Sequence, residues 1–593
     1  MRFSELAKYL EKLEKTASRN EMTKILAEVL KEAEEEEIDK VCYLLLGELL
    51  PAYRGIEFNI AEKIMIQVLA AALEESPKKI TKLYKSKGDL GDVAYDLLSQ
   101  KRKPAKHLTA DKVYSQLLKV SQETGTGSQE RKIKKMAELL SELDARSAKF
   151  VVRIPIGKMR LGFSDATLLD ALSFMLKGDK SARKEIEQAY NVTADIGAIA
   201  KIVKKSGLGS LQRIEPHPGI PIRPSLAERL RTVEEVIEKA GPEVGVEQKL
   251  DGFRTQIHLW REEGEKKIAL FSRNLENTTA MFPEIVAAAK KLPVQEAILD
   301  GETIGYNPKS NKFSPFQETV QRKRKYDIEE FAKKIPLSIF VFDILYLNGK
   351  SLLERPFRER RKIIERVLPE KTKGALRLTP HRVTKDPNVI LKELKSSIAA
   401  GLEGVVAKNL DAAYEAGSRG FHWIKLKATM AALEKLRGGK KTETKILDTI
   451  DCVVMGAYKG RGKRAVFGVG GLLLGIRGQD GRYYSISRLG TGLSDEQFRE
   501  AHRRLGKLKV NTAPKEYIVD KEITPDIWVR PSLVVEILAD EITLSPRHTA
   551  GRKGTSRGYS LRFPRLVRFR DDKNPEDATT AEEIKKLFAE QKK

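Results

Sequence analysis

The stretch Gly245–His258, GVEQKLDGFRTQIH, sets a lysine between two carboxylates in an otherwise apolar run. Read as a strand, it sends successive side chains to opposite faces. Glu247, Lys249 and Asp251 then share one face, and Val246, Gln248 and Leu250 the other. Three charges among Val, Leu and Ile cannot be buried unpaired, so that face is expected to line a polar pocket. Lys249, just before the Asp251-Gly252 turn, is a candidate covalent nucleophile. An isolated K-x-D-G is more often a surface ion pair on an edge strand, so its surroundings must decide.

The same period-two reading applies further along. LEGVVAK places Glu403 on the face opposite Gly404 and Lys408. WIKLK puts Lys425 and Lys427 beside Trp423, with Ile424 and Leu426 turned to a core. SIFVFDILYL sets Phe340, Phe342 and Ile344 on one face and Asp343 on the other. ILDGE ends a strand, with Glu302 just past a turn. Such a set of lysines, carboxylates and an aromatic suits nucleotidyl transfer. An attacking amine must be unprotonated, a state that neighbouring cations and a bound metal favour. Lys425, Lys427 and Mg²⁺ would balance phosphate charge. Glu302 and Glu403 offer the hard oxygens that Mg²⁺ takes, and Phe342 offers a face for a base.

Three classes of element must position these residues. Residues 1–215 read as helical: MRFSELAKYLEKLEK places Phe3, Leu6, Leu10 and Leu13 at helical spacing, with Ser4 as the expected N-cap. A Pro-rich linker, EPHPGIPIRPS, marks a boundary. Residues 216–437 then alternate strands and helices as an α/β domain. A second boundary lies at the basic Gly438-Gly439 linker, read as a hinge. Residues 438–593 are dominated by about five strands, at Thr449–Tyr458, Gly468–Ile476, Arg482–Leu489, Glu516–Val519 and Leu533–Leu538, which suggests an OB-fold β-barrel followed by a C-terminal helix.

The 593 residues carry a formal charge of +26, which predicts a polyanionic partner, most simply nucleic acid. Two regions concentrate that charge. Val151–Leu172 sets Arg153, Lys158 and Arg160 among glycines ahead of a helix capped by Ser164, an arrangement suited to a phosphate backbone. Arg547–Arg570 holds eight Lys or Arg and no acidic residue. With only Cys42 and Cys452, neither a cysteine zinc module nor a disulfide framework can be built. No apolar leader and no run of 18 apolar residues occur, so a soluble, intracellular protein is expected.

Seven motifs in fixed order, EQKLDGFR, FSRNLENTT, ILDGE, VFDILYLNG, RPFRERR, EGVVAK and WIKLK, resemble those of the ATP-dependent DNA ligases of the archaeal and eukaryotic replicative type. The resemblance extends to GYSLRFPRLVRFRDDK and covers essentially the whole chain. It implies a multidomain protein: an all-α DNA-binding domain, an α/β nucleotidyltransferase (adenylation) domain and an OB-fold domain. It implies that Lys249 carries a covalent AMP, that Glu247 reads adenine, and that Arg254, Arg273 and Arg419 contact nucleotide or nick. Glu302 would hold ribose or metal, Phe342 would stack on adenine, Glu403 would bind metal, and Lys425 and Lys427 would contact the α-phosphate. Arg562, Arg565, Arg570 and Lys573 fall in the last motif, whose basic groups orient pyrophosphate. Arg153, Lys158 and Arg160 would contact DNA.

The implied cofactors are ATP and Mg²⁺, with Mn²⁺ an alternative; use of ADP stays open. The implied partners are nicked double-stranded DNA and a PCNA-like sliding clamp, for a monomer in the cytoplasm associated with the nucleoid and serving replication, repair and recombination. At Ser99–Thr109 the clamp segment has Gln100 but no aromatic pair, a departure from the family pattern. An RNA ligase or a capping guanylyltransferase shares the lysine motif; the long helical domain points away from both. A non-catalytic DNA-wrapping protein would not need the intact lysine and carboxylates. NAD is disfavoured as donor for want of a cysteine zinc module.

Overall fold

The computed structural model describes every residue except 17, 102–105, 158, 231, 308–309, 311, 325, 369–373, 401, 428–448, 461–466, 553, 555 and 591–593. The chain divides into two units, Met1–Leu436 and Arg437–Lys593. The Gly438-Gly439 linker lies outside the described residues.

The first unit opens with helices that share one apolar core running from Phe3 to Leu211. Phe3–Lys15 buries Phe3, Leu6, Ala7, Leu10 and Leu13, the spacing of a single helical face. Its N-cap is Arg2 and not Ser4: the Arg2 N–H donates to Glu5 and the Phe3 N–H to the Leu108 carbonyl, so the helix starts two residues early. Arg19–Glu32, Ile38–Leu46, Glu62–Leu73, Ala110–Ser121 and Ser128–Ser141 follow where the apolar periodicity places helices.

Arg153 corrects one expectation. It is the last residue of the helix Ala145–Arg153 and only 1% exposed. Its guanidinium donates to Asp89 at 3.1 Å, Glu14 at 2.8 Å and Asp92 at 3.3 Å, tying three helices together. A fully engaged, buried cation cannot reach a DNA phosphate. The sequence reading missed this because the glycines after it suggested that the turn began earlier. Arg160 is half-exposed, has φ of +58°, and pairs with Asp89 and the Gly88 carbonyl; Lys158 lies outside the described residues. Arg153→Met should leave the buried Asp89 with only the half-exposed Arg160 as a cation partner and destabilise the protein by about 3–5 kcal/mol. The salt dependence of DNA binding by the still-folded variant should match the parent, and a shallower slope would restore Arg153 as a phosphate contact.

The rest of the first unit holds two sheets. Its strands are β1 (Leu226–Leu230), β2 (Val244–Lys249), β3 (Phe253–Glu262), β4 (Glu265–Ser272), β5 (Ala297–Asn307), β6 (Lys312–Phe313), β7 (Leu337–Leu347), β8 (Lys350–Ser351), β9 (Leu376–Leu378), β10 (His381–Thr384), β11 (Gly404–Asn409) and β12 (Arg419–Lys427). One sheet has the order β1-β12-β11-β2-β10; the other is β4-β3-β5-β7-β8, with β6 on β5 and β9 on β7. The stretch Gly245–His258 is therefore two strands, one in each sheet, joined at Leu250–Gly252. Gly252 is required there, because a Cβ would lie 2.2 Å from the Thr303 carbonyl oxygen.

The strand expectations fail in three places, each with a visible cause. The β5–β7 ladder shifts register between Ile298 and Leu299 and between Asp300 and Gly301. These irregularities separate Phe340, Phe342 and Ile344, which pack in three different clusters. ILDGE contains no turn: β5 runs through it, and Gly301 serves close packing, since a Cβ would meet Ile339 at 2.8 Å and the Phe340 oxygen at 2.9 Å. Glu403 precedes β11, and Gly404 has φ of +145°, which resets the alternation.

The second unit is strand-rich. Its strands are β13 (Ile450–Lys459), β14 (Val469–Arg477), β15 (Tyr483–Leu489), β16 (Lys509–Val510), β17 (Tyr517–Ile518), β18 (Ile527–Val529), β19 (Val534–Leu538), β20 (Glu541–Ser545), β21 (Gly558–Arg562) and β22 (Arg565–Phe569). All five strands read from the sequence are present, with helices Asp495–Gly506 and Ala581–Glu590 beside them. Cys42 and Cys452 are free and buried, and no helix among the described residues is long and apolar enough to cross a membrane.

Candidate active site

The two sheets of the first unit enclose a cavity of about 430 Å³. It is lined by Glu247, Lys249, Arg254, Arg273, Glu302, Phe342, Glu403, Arg419 and Lys425, together with Lys408, Trp423 and Thr379, which the sequence reading had not assigned a role. Asp251, placed on the pocket face by alternation, is not among the lining residues, because β2 ends at Lys249. Lys427 is the last residue of β12, and its side chain lies outside what is described.

Lys249 ends β2 opposite Gly404 of β11. The Glu403 N–H donates to the Lys249 carbonyl at 3.1 Å, and the Glu403 carboxylate pairs with Nζ at 3.0 Å. The nucleophile candidate is thus held by a carboxylate just ahead of the neighbouring strand. Glu403 and Lys408 face the same cavity, contrary to the alternation argument, because of the turn at Gly404.

Glu247 sits deeper, 4% exposed. Its Oε2 pairs with Lys408 Nζ at 2.7 Å, and Arg361 lies 3.7 Å from Oε1. Lys408 also donates to the Phe342 carbonyl at 3.1 Å, and it stands 4.5–4.7 Å from the ring centres of Phe342, Phe357 and Trp423. Burial pushes Glu247 up and Lys408 down, and each is opposed by the other's charge. The aromatic faces favour the cation. The Phe342 ring meets Trp423 edge-on at 5.6 Å.

Arg254 is locked by a fork to Asp300, with Nε–Oδ1 at 3.0 Å and Nη2–Oδ2 at 2.6 Å. It also donates to the Ser225 carbonyl and to the Tyr414 hydroxyl. The neighbouring Asp300 raises Arg254 above its ordinary range against the cost of burial. Lys425 donates to the Ala227 carbonyl at 3.1 Å, Arg419 opens β12, and Arg273 is exposed at the end of β4.

Burial raises Glu302 to about 7, with Glu403 and Asp300 adding to the shift and Lys249 and Arg254 opposing it. Two carboxylates that repel one another across a cavity make a site for a divalent cation. Two oxygens alone do not complete its shell, so water or phosphate oxygens must supply the rest. Among the described residues no group of three or more His, Cys, Asp or Glu could do so. The fold prefers the protonated form of Glu302, so this group's contribution to stability is present below the usual carboxylate range and is lost as pH rises through about 7. Cation binding needs the ionised form and runs the other way. Binding of a divalent cation should weaken as pH drops below about 7, and Glu302→Gln should flatten that profile; an unchanged profile in the variant would remove Glu302 from the metal site.

The last-motif residues lie in the second unit. Arg570 pairs with Asp451 at 3.1 Å and Asp572 at 2.8 Å, and Lys573 with Asp451 at 2.6 Å. Arg562 pairs with Glu541 at 3.2 Å, and Arg565 with Asp540. Arg570 and Lys573 therefore share Asp451, whereas Arg562 and Arg565 each pair with a carboxylate of their own.

Three family profiles match this chain: "DNA ligase N terminus" over residues 2–173, "ATP dependent DNA ligase domain" over 224–427, and "ATP dependent DNA ligase C terminal region" over 466–573. The chain belongs to the ATP-dependent DNA ligase family. The middle profile contains every residue of the cavity described above. A "Probable DNA ligase" of Dictyoglomus turgidum is 42% identical over 596 residues, covering 100% of this chain and 98% of its own. A DNA ligase of Saccharolobus solfataricus is 38% identical over 609 residues with the same coverage. A solved structure described as Pmar-Lig_PreS3 shares the fold at 19% identity, with a TM-score of 0.54 over 95% of this chain and 99% of that one. In this ligase, sequence reasoning missed Lys408 and Thr379, which line the cavity, and Arg361 and Asp300, which hold residues that do. Lys408 and Arg361 pair with Glu247, and Asp300 with Arg254, across different elements, so only Glu247 and Arg254 at buried strand positions could have signalled their partners.

Proposed function

We propose that this ligase seals nicks in double-stranded DNA through a lysyl-AMP at Lys249, with Mg²⁺ as the working cation and Mn²⁺ as a substitute. The observation that carries this reading is the Lys249–Glu403 pair at 3.0 Å inside a cavity that also holds Glu247, Glu302 and Arg254. Lys249 Nζ attacks the α-phosphorus of ATP, an N–P bond forms, and the bond to the β-phosphate breaks with pyrophosphate leaving. The nick's 5′-phosphate oxygen then attacks the same phosphorus and releases the lysine. Finally the 3′-hydroxyl attacks the 5′-phosphorus and AMP departs. All three are displacements at phosphorus, so positioning and charge balance carry the catalysis.

Glu247 and Phe342 hold the base end, Arg254 is fixed for the nucleotide, and Lys425 and Arg419 serve the phosphates. Glu302 and Glu403 would hold the cation, which when bound neutralises phosphate charge. In the second unit, β13, β14 and β15 form an antiparallel meander, and β19 returns to β13, which supports reading it as an OB-type barrel. A charge of +26 supports DNA as the polyanion, bound by a monomer in replication and repair. The sliding-clamp segment falls partly outside the described residues, at 102–105. Sealing of a 5′-labelled nicked duplex with ATP tests the proposal. Sealing with ATP and Mg²⁺ supports it, and no sealing of DNA under any divalent cation overturns it.

A further inference from the structure

The deep end of the cavity carries polar atoms that the protein itself does not satisfy. Among the described residues, Glu247 Oε1, Thr379 Oγ1 and one terminal nitrogen of Arg361 are buried without a hydrogen-bond partner. Thr379 is 3% exposed and Glu247 4%, yet both line the cavity. A native fold seldom leaves such atoms unpaired, because each costs the desolvation of a polar group with nothing in return. Atoms of this kind that converge on a cavity wall point to a ligand that brings their partners.

The backbone explains how Thr379 reaches this place. β9 runs parallel to β7 in one sheet, with Leu378 opposite Val341, and β10 pairs with β2 in the other, with His381 opposite Glu247. Thr379 lies where the chain crosses between the two sheets. Its N–H donates to the Val341 carbonyl at 2.8 Å, and its carbonyl accepts from Arg361 at 3.0 Å. The residue is therefore clamped by its backbone while its hydroxyl is left unused.

Glu247 is clamped too, by Lys408 at 2.7 Å on one oxygen, while the other has no hydrogen-bond partner, its nearest cation, Arg361, standing 3.7 Å away. An acceptor and a hydroxyl lining the same cavity as the Phe342 and Trp423 rings match the edge of a 6-aminopurine: an exocyclic N–H₂ donor beside a ring-nitrogen acceptor.

We propose that Thr379 is a base-contacting residue, its hydroxyl donating to the ring nitrogen N1 of adenine while Glu247 Oε1 accepts from the 6-amino group. This rests on the reading that the cavity takes ATP. Lys408 and Arg361 are positioning residues that act through Glu247 and the Thr379 backbone.

The test is a cycle between one protein atom and one ligand atom, read as steady-state self-adenylation of the full chain. Thr379→Val removes the hydroxyl at constant shape, and 1-deaza-ATP removes N1. Each change alone should raise KM about tenfold, with kcat within about twofold, and both together should cost no more than either alone. Thr379→Ser should restore the parent value. Because the hydroxyl has no partner within the protein, Thr379→Val should leave the melting temperature unchanged or higher, whereas a structural role would lower it. An unchanged KM in Thr379→Val, or losses that multiply with 1-deaza-ATP, would overturn the assignment. Parent protein that takes no label from ATP would instead overturn the reading of the cavity itself, so the two failures are distinguishable.

Discussion

Lys249→Ala is expected to lower AMP capture from ATP by at least about four orders of magnitude. The same variant should still join a nick that already carries AMP on its 5′-phosphate. The reason lies in the division of labour within the cavity. In the proposed reaction Lys249 accepts AMP and passes it on, whereas the last displacement, by the 3′-hydroxyl, does not use its amine. Glu302, Glu403 and Lys425 remain in place to balance charge in that step. A gel assay with synthetic adenylated nicked duplex separates the outcomes. Loss of joining on both substrates would mean that Lys249 also organises the fold around Glu403, to which it is paired at 3.0 Å.

Lys408→Met should be the most damaging single change to stability within the site. It leaves Glu247 with a buried charge whose nearest remaining cation, Arg361, is 3.7 Å away. Breaking a buried pair from one side costs about 3–5 kcal/mol, which urea unfolding followed by tryptophan fluorescence would register. Adding Glu247→Gln in the same chain should recover part of the loss, because a neutral amide no longer needs the ammonium. The double variant would stay defective in adenylation, since the acceptor facing the base has changed. If Lys408→Met alone melted like the parent, Glu247 would have to be held by something other than the Lys408 ammonium.

The sequence made the chemistry legible where local periodicity governs. Ile424 and Leu426 enter the core while Trp423 and Lys425 face the cavity, as alternation along an unbroken strand requires. The helical faces of the first 215 residues were legible for the same reason, because their apolar spacing survives in one shared core. Legibility stopped where the third dimension intervenes. The register shifts near Phe342 and the positive φ at Gly404 are answers to packing between strands far apart in sequence. Arg153 looked like a phosphate contact, because a basic residue before a Gly-rich turn carries no mark of the three carboxylates waiting 61 to 139 residues away. Lys408 was passed over on the same ground: its worth comes from Glu247 and three rings supplied by other elements.

The electrostatics of the site follow from this arrangement. The first unit buries four ion pairs close to the cavity: Glu247–Lys408, Arg254–Asp300, Arg360–Asp343 and the longer Arg361–Glu247 contact. Such pairs rarely add net stability over apolar packing, so their presence is better understood as holding the groups that line the cavity. Arg360–Asp343, fully buried with a fork at 2.8 and 3.0 Å, anchors the strand that carries Phe342 to the helix Phe357–Val367. The base end is thereby rigid, while the charged groups at Arg273 and Lys249 stay nearer solvent.

The central claim is that Lys249 itself carries the AMP. Incubation of the full chain with ATP and Mg²⁺, followed by proteolysis and peptide mass mapping, tests it most directly. The account predicts one AMP adduct, on the peptide containing Lys249 and localised to that side chain, which disappears when nicked duplex is added. An adduct on Lys425, Lys408 or any other residue, or none while nicks are still sealed, would contradict it.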